Sequence, residues 1–124
     1  MKPAALFGML GAVFGFLGVA AGAFGAHALR DTLPPERLQV FETGARYQLI
    51  HALALVAVAL ALDRAATGPA TAAGWLFVLG QVIFAGSLYA LALSGVRLWG
   101  AVTPLGGLCY LGGWAFLAWS FARR

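Results

Sequence analysis

The chain has 124 residues, of which 62% are hydrophobic and 10% are charged, whereas a soluble domain is roughly half apolar and about a quarter charged. A soluble chain this short buries too small a share of its surface to hide so many apolar side chains, so the composition excludes a water-soluble globular domain. The net charge of +4 does not indicate nucleic-acid binding, because the basic residues stand singly or in pairs near the ends of apolar runs, where cations anchor to lipid headgroups.

The first apolar run covers residues 3–26 and contains no charged residue. A transmembrane helix needs about 20 such residues, so we predict span one at about residues 4–26. Lys2 followed by this run also resembles a signal peptide with a cleavage site near Ala26-His27-Ala28. The run is longer than a signal-peptide core and further spans follow it, so we interpret it as a retained helix.

Span one contains a regular series of glycines at intervals of 3, 4, 3, 4 and 3 residues: Gly8, Gly11, Gly15, Gly18, Gly22 and Gly25. This spacing places all of them on one face of a helix. Small residues allow transmembrane helices to approach closely. The glycine face is therefore predicted to be a helix-packing seam, either within the chain or between copies of it in a homo-oligomer.

A polar interfacial segment, residues 30–46, separates span one from span two. It contains two adjacent prolines, and its apolar residues recur at helical spacing among charged ones: Leu38, Phe41 and Ala45. This pattern predicts a short amphipathic helix at the membrane surface, either separate from span two or continuous with it. Span two ends at Leu62, and the length that a span requires places it at about residues 43–62.

Span three is predicted at about residues 72–94, because Gly95 is typical of the residue that terminates a helix. Span four is predicted at about residues 103–121. Thr103 and Pro104 suit the N-cap and first position of this helix, which makes residues 96–102 an interfacial loop. The alternative is a longer helix that bends at Pro104.

These elements predict an all-α fold, an integral membrane four-helix bundle with a short amphipathic interfacial helix between spans one and two. The whole chain, residues 1–124, forms a single transmembrane domain. The orientation of the termini stays open, because each side of the membrane has four basic residues: Lys2, Arg64, Arg123 and Arg124 on one side, and Arg30, Arg37, Arg46 and Arg97 on the other.

His51 is the candidate functional residue of the spans. It lies about 16 Å from the end of span two, close to the middle of a hydrocarbon core about 30 Å thick, where an ionisable side chain is costly. We expect it either to tie helices together as a neutral histidine or to act in proton relay or ligand binding. Tyr47, Ser87 and Thr103 are its expected partners, in a polar pocket that comprises His27, Arg46, Tyr47, Gln48, His51, Ser87 and Thr103.

The sequence contains no pattern typical of a catalytic or metal-binding site. Cys109 is the one cysteine, which excludes an intrachain disulfide and a CxxC metal site. His27 and His51 would be the two axial ligands of a haem, but they lie at different depths in the membrane. We therefore predict no cofactor.

Four segments of the chain closely resemble the YgdD-like family of small bacterial inner-membrane proteins, which is related to the eukaryotic transmembrane protein 256. The segments are GAFGAHALRDTL (22–33), FETGARYQLIHALAL (41–55), FAGSLYALALSG (84–95) and TPLGGLCYLGGWAFLAW (103–119). The resemblance implies a four-span protein of the bacterial plasma (inner) membrane. The family has no established activity, so the resemblance implies no catalytic role.

Polar side chains concentrate in the half of the membrane domain that faces the first and third loops: His27, Arg46, Tyr47, Gln48, Ser94, Arg97 and Thr103. The segments that resemble the family coincide with this half, and they contain Gly25, His27, Tyr47, Gln48, His51, Ser87, Tyr89, Thr103, Pro104, Gly106 and Gly107. We expect a non-enzymatic accessory or assembly partner that lies in the lipid bilayer and contacts another membrane protein or a second copy of itself. The alternative is a transporter or a small-molecule binder that uses the pocket around His51.

Overall fold

The computed structural model describes residues 1–124 as four long helices joined by short loops. Each helix is long and apolar enough to cross a membrane: α1 (Pro3–Leu29), α2 (Pro35–Arg64), α3 (Gly68–Ser94) and α4 (Leu98–Ala122). The fold is therefore all-α, with four candidate membrane spans arranged as a bundle. This confirms the fold class that the sequence predicts.

The centre of the bundle is formed by α2 and α3. Helix α1 packs mainly on α2, and α4 packs mainly on α3. The core contains completely buried Phe7, Leu55 and Phe77. Phe7 reaches α3 because Gly74 has no side chain there: a Cβ at Gly74 would lie 2.6 Å from the Phe7 ring. The apolar core thus links α1 to both central helices.

All six seam glycines of α1 face α2. A Cβ at Gly11 would lie 2.9 Å from the Ala52 carbonyl oxygen, and one at Gly18 would lie 2.9 Å from the Leu49 side chain. At Gly8, Gly15 and Gly22, a Cβ would make only ordinary van der Waals contact, and Gly25 faces Phe41 at 3.1 Å. The seam therefore packs within the chain, with its closest approaches at particular glycines rather than along its whole length.

The polar segment 30–46 does not form a separate helix in the structure. Residues 30–34 make a turn, and α2 then runs without interruption from Pro35 to Arg64. Pro35 suits the first helical position because it needs no hydrogen-bond acceptor there, and Glu36 in the first turn is favourable at the positive end of the helix dipole. The amphipathic residues are thus the first turns of α2, and the continuous alternative is the one observed.

Helix α4 differs from its predicted bounds, because it begins at Leu98 and contains Pro104. The predicted loop at residues 96–102 and the predicted helix start near Thr103 are therefore wrong. The longer helix, which contains Pro104, is the one observed. Proline removes one backbone donor from the helix, which leaves the Gly100 carbonyl without its usual i−4 partner. The Thr103 hydroxyl donates to the preceding carbonyl, that of Trp99, at 3.2 Å.

Two arginines that the sequence analysis interprets as headgroup anchors bind the carboxyl ends of helices. Arg37 Nε donates to the Ala92 carbonyl of α3 at 2.8 Å, and Arg124 Nη2 donates to the Ala61 carbonyl of α2 at 3.0 Å. The last carbonyls of a helix lack intrahelical donors and carry partial negative charge, which suits a guanidinium. Gly95, with a φ of 73°, ends α3 beside Arg37. Both arginines therefore connect neighbouring helices.

Candidate functional site

A hydrogen-bond network joins all four helices near the middle of the bundle. Gln48 Nε2 donates to the Phe14 carbonyl of α1 at 2.9 Å, and Gln48 Oε1 accepts from the Tyr89 hydroxyl of α3 at 2.6 Å. Gln81 Nε2 donates to the Gln48 carbonyl at 3.0 Å, and Gln81 Oε1 accepts from the Tyr110 hydroxyl of α4 at 2.8 Å. The two glutamine side chains are 5% and 2% exposed, so lipid and water do not compete for these bonds.

His51 is buried beside this network, and both of its ring nitrogens are engaged. Nδ1 lies 2.8 Å from the Tyr47 carbonyl, and Nε2 lies 3.0 Å from the Trp114 indole nitrogen. Because an indole N–H only donates and a carbonyl only accepts, this geometry assigns the proton to Nδ1 of a neutral imidazole. The ring also stacks on Tyr110, with centroids 3.5 Å apart. His51 of α2 is thus bound to α4 through Trp114 and Tyr110.

A lateral groove of about 320 Å³ opens beside His51. It is lined by Tyr47, His51, Phe84, Gly107, Tyr110, Leu111 and Trp114. Tyr47 is 39% exposed and packs on Phe84, with ring centroids 4.8 Å apart. The groove is therefore mainly aromatic, and its lining includes the His51 ring.

The structure brings together three of the predicted pocket residues, Tyr47, Gln48 and His51. The Tyr47 and His51 rings are parallel, with centroids 6.2 Å apart. The hydrogen bond of His51 is made to the backbone carbonyl of Tyr47 and not to its hydroxyl. Ser87 and Thr103 do not reach His51. They bond to each other at 2.6 Å between α3 and α4.

The two basic residues of the predicted pocket lie elsewhere. Arg46 is exposed and lines a cavity against α1, because consecutive residues of a helix point about 100° apart at 3.6 residues per turn. His27 is exposed in the last turn of α1, with Nδ1 3.2 Å from Arg30 Nη2. A pocket that contains all seven predicted residues is therefore not formed.

Sequence reasoning missed Gln81, Tyr110 and Trp114 as members of this site. None of the three is among the candidates named in the sequence analysis. The signal that indicates Gln81 is its isolation in an apolar span, because a glutamine there needs hydrogen-bond partners on another helix. Nothing local to Trp114 indicates that its indole faces His51.

The buried polar groups of the site are satisfied by the protein itself. No buried side-chain nitrogen or oxygen lacks a hydrogen-bond partner. No group of three or more His, Cys, Asp and Glu side chains is close enough to hold a metal ion. Four apolar helices whose polar side chains bond to one another define a multi-pass integral membrane protein.

The chain belongs to the family described as "Protein of unknown function (DUF423)", whose model matches residues 21–107. It is 43% identical over 113 residues to the UPF0382 membrane protein YwdK of Bacillus subtilis (strain 168), covering 90% of this chain and 92% of the relative. It is 44% identical over 98 residues to the UPF0382 inner membrane protein YgdD of Escherichia coli (strain K12), covering 79% of this chain and 75% of the relative. No solved structure matches. The four spans and these relatives place the chain in the bacterial plasma (inner) membrane.

Proposed function

We propose that this protein is a non-enzymatic membrane protein that acts as an accessory or assembly partner of a larger membrane complex. The observation that carries this proposal is the complete pairing of the buried polar groups. His51 and both buried glutamines are engaged in joining helices, which leaves none of them free for proton transfer or nucleophilic chemistry. Their arrangement favours a structural role for the polar core.

The lipid-facing surface is the part of the protein that is available to bind a partner protein. The loops are short, covering residues 30–34, 65–67 and 95–97, so little of the chain extends into water. Large apolar side chains are exposed on every helix, among them Phe16, Leu53, Val82 and Leu108. Transmembrane helices associate through van der Waals packing of such surfaces.

Extraction in mild detergent is expected to recover this protein in stoichiometric complex with another membrane protein. A photo-crosslinking amino acid at Phe16, Leu53, Val82 or Leu108, one exposed position per helix, is expected to give a protein adduct from some positions and not others. The same probe at fully buried Val58 is the control and should give none. If the protein is monodisperse and all four exposed positions give only lipid adducts and no protein adduct, the result would contradict an accessory role.

A second candidate function, binding of a small apolar ligand, is favoured by the groove beside His51. Its volume of about 320 Å³ falls within the range of small-molecule sites. The Tyr47 hydroxyl lies at this groove and makes no hydrogen bond within the chain, so a bound molecule that offers an acceptor would satisfy it.

Native mass spectrometry of gently extracted protein tests the second candidate. Tyr47→Phe removes only the hydroxyl and is expected to lower the bound fraction of a small-molecule adduct about tenfold, the effect of losing one good hydrogen bond. Wild-type protein without any adduct, or an adduct that Tyr47→Phe leaves unchanged, would eliminate this candidate.

A further inference from the structure

A second groove runs along the outer side of the α1–α2 pair. It consists of two adjoining cavities of about 450 and 470 Å³, which share Val19 and Leu49 as lining residues. The first cavity contains the charged side chains of Glu42 and Arg46. The second is lined mainly by apolar side chains, including Ala12. The groove therefore has a charged end and an apolar end.

The two charged residues lie where lipid headgroups meet the hydrocarbon. Span two reaches the interface near residue 43 when it is counted back about 20 residues from Leu62. Both side chains are exposed, and neither hydrogen-bonds within the chain. The side chains of α2 that do so are Arg37, Thr43, Gln48 and His51. Glu42 and Arg46 therefore offer one negative and one positive group to a molecule outside the protein.

The wall of α1 is irregular at this charged end. Residues Ala20–Gly25 form a π-helical turn, and Gly22 and Ala23 of this turn line the cavity together with Arg46. A π-turn widens the helix locally, and such turns are frequent at functional sites. Because Gly22 and Ala23 are small, the turn leaves open volume beside the two charges.

From Arg46 at the charged end to the far side of the apolar end, the groove has the length of one lipid leaflet. From Arg46 to Val56, α2 rises by about 15 Å at 1.5 Å per residue. This distance is half of a hydrocarbon core about 30 Å thick. A chain that starts at the charged end and follows the groove therefore reaches the middle of the bilayer.

We propose that this groove binds one phospholipid with a zwitterionic, amine-bearing headgroup, such as phosphatidylethanolamine. The Arg46 guanidinium donates to the lipid phosphate, a charge-assisted pairing that arginine geometry favours. The Glu42 carboxylate accepts from the lipid ammonium. One acyl chain lies along the apolar end. An anionic phospholipid without an amine binds less well, because Glu42 then faces a headgroup that has no cation to pair with it.

The test is native mass spectrometry of the full chain reconstituted with phosphatidylethanolamine or with phosphatidylglycerol. The wild type should retain one phosphatidylethanolamine, and Arg46→Gln should lower the bound fraction about tenfold, as expected for the loss of one charge-assisted hydrogen bond. Glu42→Gln should reduce the preference for phosphatidylethanolamine over phosphatidylglycerol. Arg30→Gln, at an exposed arginine that does not line the groove, should behave as the wild type.

A second pair of variants tests the apolar end. Ala12→Phe fills the groove and should reduce lipid retention as strongly as Arg46→Gln. Val13→Phe, at a neighbouring position that is 46% exposed and does not line the groove, should not. Because these positions face outward, thermal melting in detergent should match the wild type for all five variants.

Three results would overturn the proposal. Lipid retention that is unchanged in both Arg46→Gln and Ala12→Phe would show that the groove is not the binding site. Equal wild-type binding of phosphatidylglycerol would refute the role of Glu42. A dimer mass that Ala12→Phe converts to monomer would show that a second copy of the chain occupies the groove instead.

Discussion

Gly106→Ala is expected to lower the free energy of unfolding by about 3 kcal/mol, at the upper end of the usual cost of overpacking. A Cβ at Gly106 would lie 2.7 Å from the Phe84 Cα atom of α3. Because this neighbour is backbone, no side-chain rotation can make room, and α3 and α4 must move apart. The same separation would stretch the Ser87–Thr103 hydrogen bond, which joins these helices at 2.6 Å.

Gly107→Ala is the matched control, one residue further along the same helix. The nearest atom to a Cβ there belongs to the Phe84 ring at 3.9 Å, which is ordinary contact. Alanine is also the better helix former, by about 1 kcal/mol in water, so this variant should be neutral or slightly stabilising. Reversible unfolding in mixed micelles measures the free energy of unfolding of both variants. Equal stability of the two variants would show that α3 and α4 are not in contact at Gly106.

Gln48→Leu is expected to cost about 2 kcal/mol of stability. An interhelical hydrogen bond in a membrane is worth about 0.6 kcal/mol on average and up to about 1.7, and the Gln48 side chain makes two of them, to the Phe14 carbonyl and the Tyr89 hydroxyl. Leucine retains most of the volume, and it also leaves the hydroxyl of Tyr89 without a partner, which adds a desolvation cost.

A double-mutant cycle separates these contributions. Tyr89→Phe in the Gln48→Leu background should cost less than Tyr89→Phe alone, because the partner of the hydroxyl is already absent. Gln39→Leu, at an exposed glutamine near the start of α2, is the control and should change stability by less than about 0.5 kcal/mol. Additive effects of Gln48→Leu and Tyr89→Phe would contradict the hydrogen bond between them.

Much of the fold is determined by composition and run length alone. Apolar runs of this length with few charges require lipid around them, and the end of α3 at Gly95 follows from the ease with which glycine adopts a left-handed conformation. That Gln48 and His51 bond to other helices also follows from the sequence, because a buried polar side chain in a span needs a partner on another helix. The proposed lipid contacts of Glu42 and Arg46 have no comparable signal, since charged residues at a span end are common.

Which partner each polar side chain finds was decided only by the tertiary structure. Helical spacing shows that His51 and Tyr47 share a face of α2, but it does not show that Trp114 and Tyr110 of α4 meet that face. Nor does it show that the glycine seam of α1 packs on α2. In lipid, apolar surfaces have no preference for burial against protein. The rotation and pairing of the helices therefore depend on close steric fit and on particular hydrogen bonds, and these exist only once the helices are packed together.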